Sequence, residues 1–257
     1  MLRLQIEWGA DEALDTEPVD RLRPLAPAAS APGPGPGPAP AATIVAKRPE
    51  PIAPDPPRGT PAERAVAAAA VADNLEALKA AIAAFDGCAL RDTAGHLVFA
   101  EGNPDAGLLV IGDPPGADED RTGHVFAGRE GALLDKMLAS IGLTRKHMLL
   151  TPLMPWRPPG GRPANAGEVL VCLPFLHRLI ALTRPTRLVL LGLQAANAVL
   201  PPTARRRRSA PAWVDCAPPV TQTALVLPGL GSLLKNPPER RDAWAGLRLL
   251  RRTLDET

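Results

Sequence analysis

The stretch from Leu108 to Gly131 constrains this chain more than any other. Leu108-Leu109-Val110-Ile111 is an apolar run too short for a helix, and it enters Gly112-Asp113-Pro114-Pro115-Gly116, whose glycines and prolines stop regular structure. A carboxylate cluster follows at Asp118-Glu119-Asp120, then Phe126 between Gly123 and Gly128, then a helical pattern from Gly131 to Ile141. The order predicts a strand, a functional loop and a helix. A buried parallel strand delivers whatever follows it to the carboxyl edge of its sheet, where open α/β proteins place their ligands. Asp113, Asp118, Glu119 and Asp120 are therefore expected at a cleft. An acidic triplet alone reads as a solvated turn; the Gly112–Gly116 turn beside it costs backbone freedom without adding core.

The remaining chain repeats the alternation. Thr60-Pro61-Ala62-Glu63 has the spacing of a capping box with proline in the first turn, and Val66, Val71, Leu75, Leu78 and Ile82 predict one amphipathic helix to about Ala84. Strands are expected at 147–153, 187–192 and 223–228. Helices are expected at 168–182, 194–200 and 240–254, and 201–219 reads as a basic loop carrying Trp213. Strand and helix alternate over most of residues 60–257, which predicts a three-layer α/β/α domain around a four-stranded parallel sheet. Residues 17–59 are saturated with Pro, Ala and Gly and read as a disordered, extended linker. Residues 1–16 form a separate short peptide, strand or helix, in which Trp8 is a candidate anchor for a protein partner.

Composition narrows the setting. The formal net charge is +2, so any polyanion site must be local, and Arg205-Arg206-Arg207-Arg208 is one such concentration. Cys88, Cys172 and Cys216 are odd in number and widely separated, which argues against a disulfide framework and for a reducing, cytoplasmic setting. No apolar run is expected to span a membrane, and residues 1–11 lack the apolar core of a signal peptide. A monomer is expected. Gly112–Gly116 is not a dinucleotide-binding fingerprint.

Four collinear segments carry a resemblance. They are Gly112–Asp120, Gly123–Leu138, Arg157-Pro158-Pro159-Gly160-Gly161-Arg162-Pro163 and Val189-Leu190-Leu191-Gly192-Leu193-Gln194-Ala195-Ala196-Asn197. From about Phe85 to Leu250 the chain resembles the uracil-DNA glycosylase superfamily, in particular its iron–sulfur, family 4 branch. The resemblance implies the fold above, DNA as partner, and excision of uracil by hydrolysis of its glycosidic bond. It also implies a base drawn out of the stack into a pocket and phosphates clamped by small residues and backbone amides, here Gly116 and Gly128.

On that resemblance Phe126 stacks on the base. Asp113 stands where the family has Glu, one methylene shorter, and Glu119 and Asp120 match the acidic pair that follows; carboxylates there position water and offset charge on the sugar. Arg157, Lys235 and Arg205–Arg208 are candidate phosphate contacts. Three family features are missing. The base-reading Asn falls on Pro152, the leaving-group His falls on Leu227-Pro228 or Gly229-Leu230, and two of four cluster cysteines fall on Phe85 and Trp156. Cys88 and Cys172 alone cannot hold a cubane, so no iron–sulfur cluster is expected and both read as small buried residues. Two functions remain open: a glycosylase of weak or shifted activity, or a catalytically inactive DNA-binding module whose N-terminal peptide recruits a partner.

Overall fold

The computed structural model describes residues 59–204 and 211–256. The N-terminal peptide with Trp8, nearly all of the Pro-rich segment and Arg205–Arg208 lie outside them.

The capping box forms as the spacing predicts: the Glu63 amide donates to the Thr60 hydroxyl and the Thr60 amide to Glu63, opening α1 (Pro61–Val71). The single long helix does not form. Asn74 caps a new one, α2 (Leu75–Ala84), by accepting from the Ala77 amide at 2.8 Å, with Ala72 extended between them. Asn and Asp side chains compete with helical backbone bonds in this way, a local effect that apolar periodicity does not register. The buried face also differs. Val66 and Val71 are exposed, whereas Ala65 and Ala69 are buried, because small residues let α1 approach a later helix closely.

A short α3 (Leu90–Thr93) leads to an edge strand, β1 (Glu101–Gly102), and then to the central β2 (Leu108–Gly112). The acidic triplet lies in a one-and-a-half-turn helix, α4 (Ala117–Thr122), and α5 (Gly128–Ala139) follows. Next come β3 (Leu149–Pro152), α6 (Ala166–Thr183), β4 (Arg187–Leu191) and α7 (Leu193–Val199). The basic loop contains β5 (Trp213–Asp215), which sequence alone does not signal; it pairs antiparallel with β6 (Thr223–Leu227). The chain closes with α8 (Leu230–Lys235) and α9 (Glu239–Asp255).

The sheet order is β1-β3-β2-β4-β6-β5. Its four inner strands are parallel, as expected, but two short antiparallel edge strands make it six-stranded. Apolar residues coat both faces: Leu109, Ile111, Leu188 and Leu190 join the core under α1, α2, α6 and α7, and Leu108, Val110, Val189 and Leu191 join the core under α5, α8 and α9. This explains continuous rather than alternating apolar strands. Helix α6 has 18 residues and a mean hydropathy of 1.5, enough by length and composition for a bilayer span and more than the sequence reading allowed. Its face of Cys172, Phe175, Leu176, Leu179 and Ile180 is core.

Because β2 pairs with β3 on one side and β4 on the other, the chain reverses direction across the sheet there. The crevice beyond the carboxyl ends of β2 and β4 is a topological switch point, where open sheets place ligands.

Candidate active site

Asp113 is the first residue past β2, and its amide still bonds to the Leu191 carbonyl of β4. The side chain turns toward the start of α7, where Oδ1 accepts from the Ala195 amide at 2.9 Å. Gly192 makes the room. It sits at φ +115, and a Cβ there would lie 2.1–2.5 Å from the Asp113 carboxylate. Gly229, after β6, lies beside Gly192 and approaches the same carboxylate, its ideal Cβ 3.3 Å from the Gly192 Cα and 3.4 Å from Oδ2. A carboxylate at a helix start is favoured by the exposed amides and the helix dipole.

Phe126 is buried with φ +49, a left-handed conformation that costs a non-glycine residue about 1 kcal/mol or more and that clusters at functional sites. Its neighbours hold it there. The Phe126 amide donates to Glu119 Oε1 at 2.7 Å, and its carbonyl accepts from Arg145 Nη2 at 2.8 Å. Arg145 also donates to the Val125 carbonyl at 2.9 Å and pairs with Asp135. The ring lies against Gly112, where a Cβ would sit 2.6 Å from Cε1. A Cβ on Gly131 would sit 1.7 Å from the Phe126 carbonyl oxygen.

Glu119 has both oxygens occupied by backbone, since Oε2 accepts from the Gly116 amide at 2.6 Å. It ties the start of α4 to Phe126. Burial, the largest influence, raises its pKa above the usual carboxylate range against the pull of those two bonds. Asp120 faces elsewhere: it accepts from the Gly95 amide at 2.8 Å, lies 3.8 Å from Arg157 Nη1, and is not among the residues lining the cavity. Asp118 pairs with Arg121, and its carboxylate occupies the space beside Gly128, which has φ +65. Gly116 has no such steric need; its amide is what α4 uses.

These residues open onto a cavity of about 620 Å³ at the switch point, lined by Asp113, Gly116, Glu119, Phe126, Gly192 and the start of α8 among others. The size suits a small ring. Its polar side chains are carboxylates and Ser232; no Asn, Gln, His, Lys or Arg lines it among the described residues. None of the four histidines approaches it: His96, His124 and His147 bond to Asp120, Glu101 and Thr144, and His177 is half-buried on α6. Leu227, Pro228 and Gly229 form the wall where a leaving-group imidazole is expected, and Pro152 is buried at the end of β3. A shallower depression of about 390 Å³ shares Gly116, Glu119 and Glu130 with the cavity and adds Arg129 and Lys235. Arg157 is directed at Asp120, and its Nε is buried without a hydrogen-bond partner among the described residues.

Asp113, Glu119 and Phe126 line this one cavity, and Gly192 and Glu130 line it with them, while Arg145 and Gly131 pack against the Phe126 backbone; the sequence pattern assigns no role to these last four. Gly192, following an apolar strand, carried a readable signal; Arg145, nineteen residues after Phe126, carried none.

The four positions that the resemblance assigns to cluster ligands all belong to the core on one face of the sheet. Phe85 and Trp156 are buried there with Cys88 and Cys172. The Phe85 ring packs edge-on against Phe175 at 5.2 Å, under the Arg64 guanidinium. The two thiols perturb each other: that interaction holds the Cys88 pKa below the usual thiol range and, with burial, raises that of Cys172. Two aromatic side chains stand in place of two thiolates, so these residues do not fit a four-cysteine cluster.

Comparison with known proteins agrees with this geometry. The family model of the uracil DNA glycosylase superfamily matches residues 99–248. The chain is similar to type-4 uracil-DNA glycosylases of Pyrobaculum aerophilum (35% identical over 133 residues, 52% of this chain and 68% of the relative) and Archaeoglobus fulgidus (40% over 110 residues, 43% and 55%). That of Thermotoga maritima is 34% identical over 110 residues, 43% of this chain and 57% of the relative. The alignments thus span between about half and two thirds of these relatives' lengths. Because the family match takes in every strand of the sheet and both lips of the cavity, over more than half of its residues, the chain belongs to the uracil-DNA glycosylase superfamily.

Proposed function

We propose that the protein is a DNA glycosylase that hydrolyses the N-glycosidic bond of uracil in DNA, in base excision repair, with low turnover. The observation that carries the reading is Phe126, held by Glu119, Arg145 and Gly112 in a strained conformation beside Asp113 at the switch-point cavity. A strained aromatic on the wall of such a cavity suits stacking on an extruded base, an interaction of about 1–3 kcal/mol. Low turnover follows from the lining. Pro152 has no amide to read the uracil edge, and the wall at Leu227–Gly229 offers no imidazole to a departing anion. Arg129 and Lys235 beside the cavity suit contacts to flanking phosphates. The protein works without an iron–sulfur cluster; buried aromatic side chains at Phe85 and Trp156, where the resemblance has two cluster thiolates, support this. The unpaired cysteines suit a reducing cytoplasm.

The same missing Asn and His favour a second reading, a binding module that holds a base without cleaving it. Incubating the full chain with single-stranded DNA carrying one uracil and counting abasic sites decides between them. Slow release that disappears in Asp113→Asn supports the glycosylase. Tight binding with no abasic sites after prolonged incubation supports the module and overturns the enzyme.

A further inference from the structure

The mechanism needs a carboxylate that can meet water, and three of the acidic residues near the site are already engaged. Asp113 is withdrawn against Gly192 and accepts from the Ala195 amide, Glu119 accepts two amides, and Asp120 accepts from Gly95 outside the cavity. Glu130 is different. It lies in the first turn of α5, lines both the main cavity and the depression beside it, and has no hydrogen-bond or ion-pair partner among the described residues. Gly231 opposite it leaves the space, since a Cβ there would lie 3.0 Å from Glu130 Oε1.

We propose that Glu130 is the catalytic carboxylate that receives the proton of the attacking water, in the role for which Asp113 is a methylene short. The inference rests on the glycosylase reading above. In the step, the bond from the sugar C1′ to the base nitrogen breaks and its electron pair leaves with the base. The water oxygen bonds to C1′, and the water proton passes to Glu130. Asp113, fixed at the start of α7, offsets charge on the sugar. The groups facing Glu130 are Asp113 from the β2 loop, Asp118 and Glu119 from α4, Lys235 from α8 and, across the cavity, Glu239 and Asp242 from α9. Partial burial first, then Asp113, raises the Glu130 pKa, and Lys235 opposes them. A carboxylate shifted in this direction is a better proton acceptor near neutral pH.

The test is single-turnover excision from the single-stranded uracil oligonucleotide by wild type, Glu130→Gln and Glu130→Asp across a pH series, with oligonucleotide affinity measured in parallel. Glu130 makes no hydrogen bond or ion pair among the described residues, so Glu130→Gln should fold as wild type does. A rate about 10²–10⁴-fold lower in Glu130→Gln, partial recovery in Glu130→Asp, unchanged affinity and loss of the acid limb of the pH profile support the proposal. A Glu130→Gln rate within a few fold of wild type, or an acid limb that persists in it, overturns the proposal and leaves the glycosylase reading standing. Wild type that releases no uracil overturns both.

Discussion

Gly112→Ala tests how the site is built. An ideal Cβ at Gly112 lies 2.6 Å from Phe126 Cε1 and 2.7 Å from Cζ. Carbon pairs prefer about 3.5–4.0 Å, so the ring must retreat by roughly 1 Å. It has little freedom to do so, because its own amide and carbonyl are tethered by Glu119 and Arg145. Gly112 ends a central strand paired on both sides, so the backbone cannot yield either. Overpacking of this kind costs about 1–3 kcal/mol, and for a domain of this size a melting temperature lower by about 2–12 °C. A base-stacking ring displaced by about 1 Å should slow excision about a hundredfold. Thermal denaturation and single-turnover excision measure the two effects. The decisive comparison repeats Gly112→Ala in a Phe126→Ala background, where the ring is gone and most of the stability loss should vanish. Equal destabilisation in both backgrounds would refute the contact as its cause, and a Gly112→Ala protein with wild-type excision would refute the role of Phe126.

Two further outcomes are expected. Glu119→Gln keeps the shape but leaves one of two amides without an acceptor, a loss of about 1–3 kcal/mol. Because burial raises the Glu119 pKa in the folded state, the stability tied to its protonated form is present below the unfolded value of about 4.3 and lost as pH rises through the folded one. Wild type should therefore lose its advantage over Glu119→Gln as pH rises from about 4 to 8, and denaturant titrations in which the gap widens with pH would contradict this. Anaerobic reconstitution with iron and sulfide should leave the natural chain colourless and give visible absorbance only in Phe85→Cys/Trp156→Cys, which restores four thiols; cluster absorbance in the natural chain would refute the aromatic-filled core.

The parallel sheet was legible because Leu108–Ile111, Arg187–Leu191 and Thr223–Leu227 are short apolar runs, each ending in glycine or proline. The edge strands were not, because β1 and β5 have two and three residues and owe their conformation to a neighbour rather than to their own pattern. The break at Ala72–Asn74 was missed because an apolar period continues across it while a single side-chain cap ends it. Membership of the site was legible for Phe126 and Asp113, whose loops are rich in glycine. The part played by Glu119 was not, since accepting two backbone amides and meeting a substrate call for the same carboxylate in the same motif.

The sequence by itself determined the fold class, the edge of the sheet on which the site lies, and the absence of an Asn at 152, a His at 227–230 and two cluster cysteines. Each of these is a matter of residue type and local order along the chain. Tertiary structure decided that Asp113, Glu119 and Asp120 are engaged and that Glu130 stands open. That depends on contacts between segments far apart in sequence: Asp113 against Gly192 and Ala195, Phe126 against Gly112 and Arg145, and Glu130 across from Gly231. Periodicity reports which face of an element is buried, but the direction of a single carboxylate is set by the neighbours that folding brings to it.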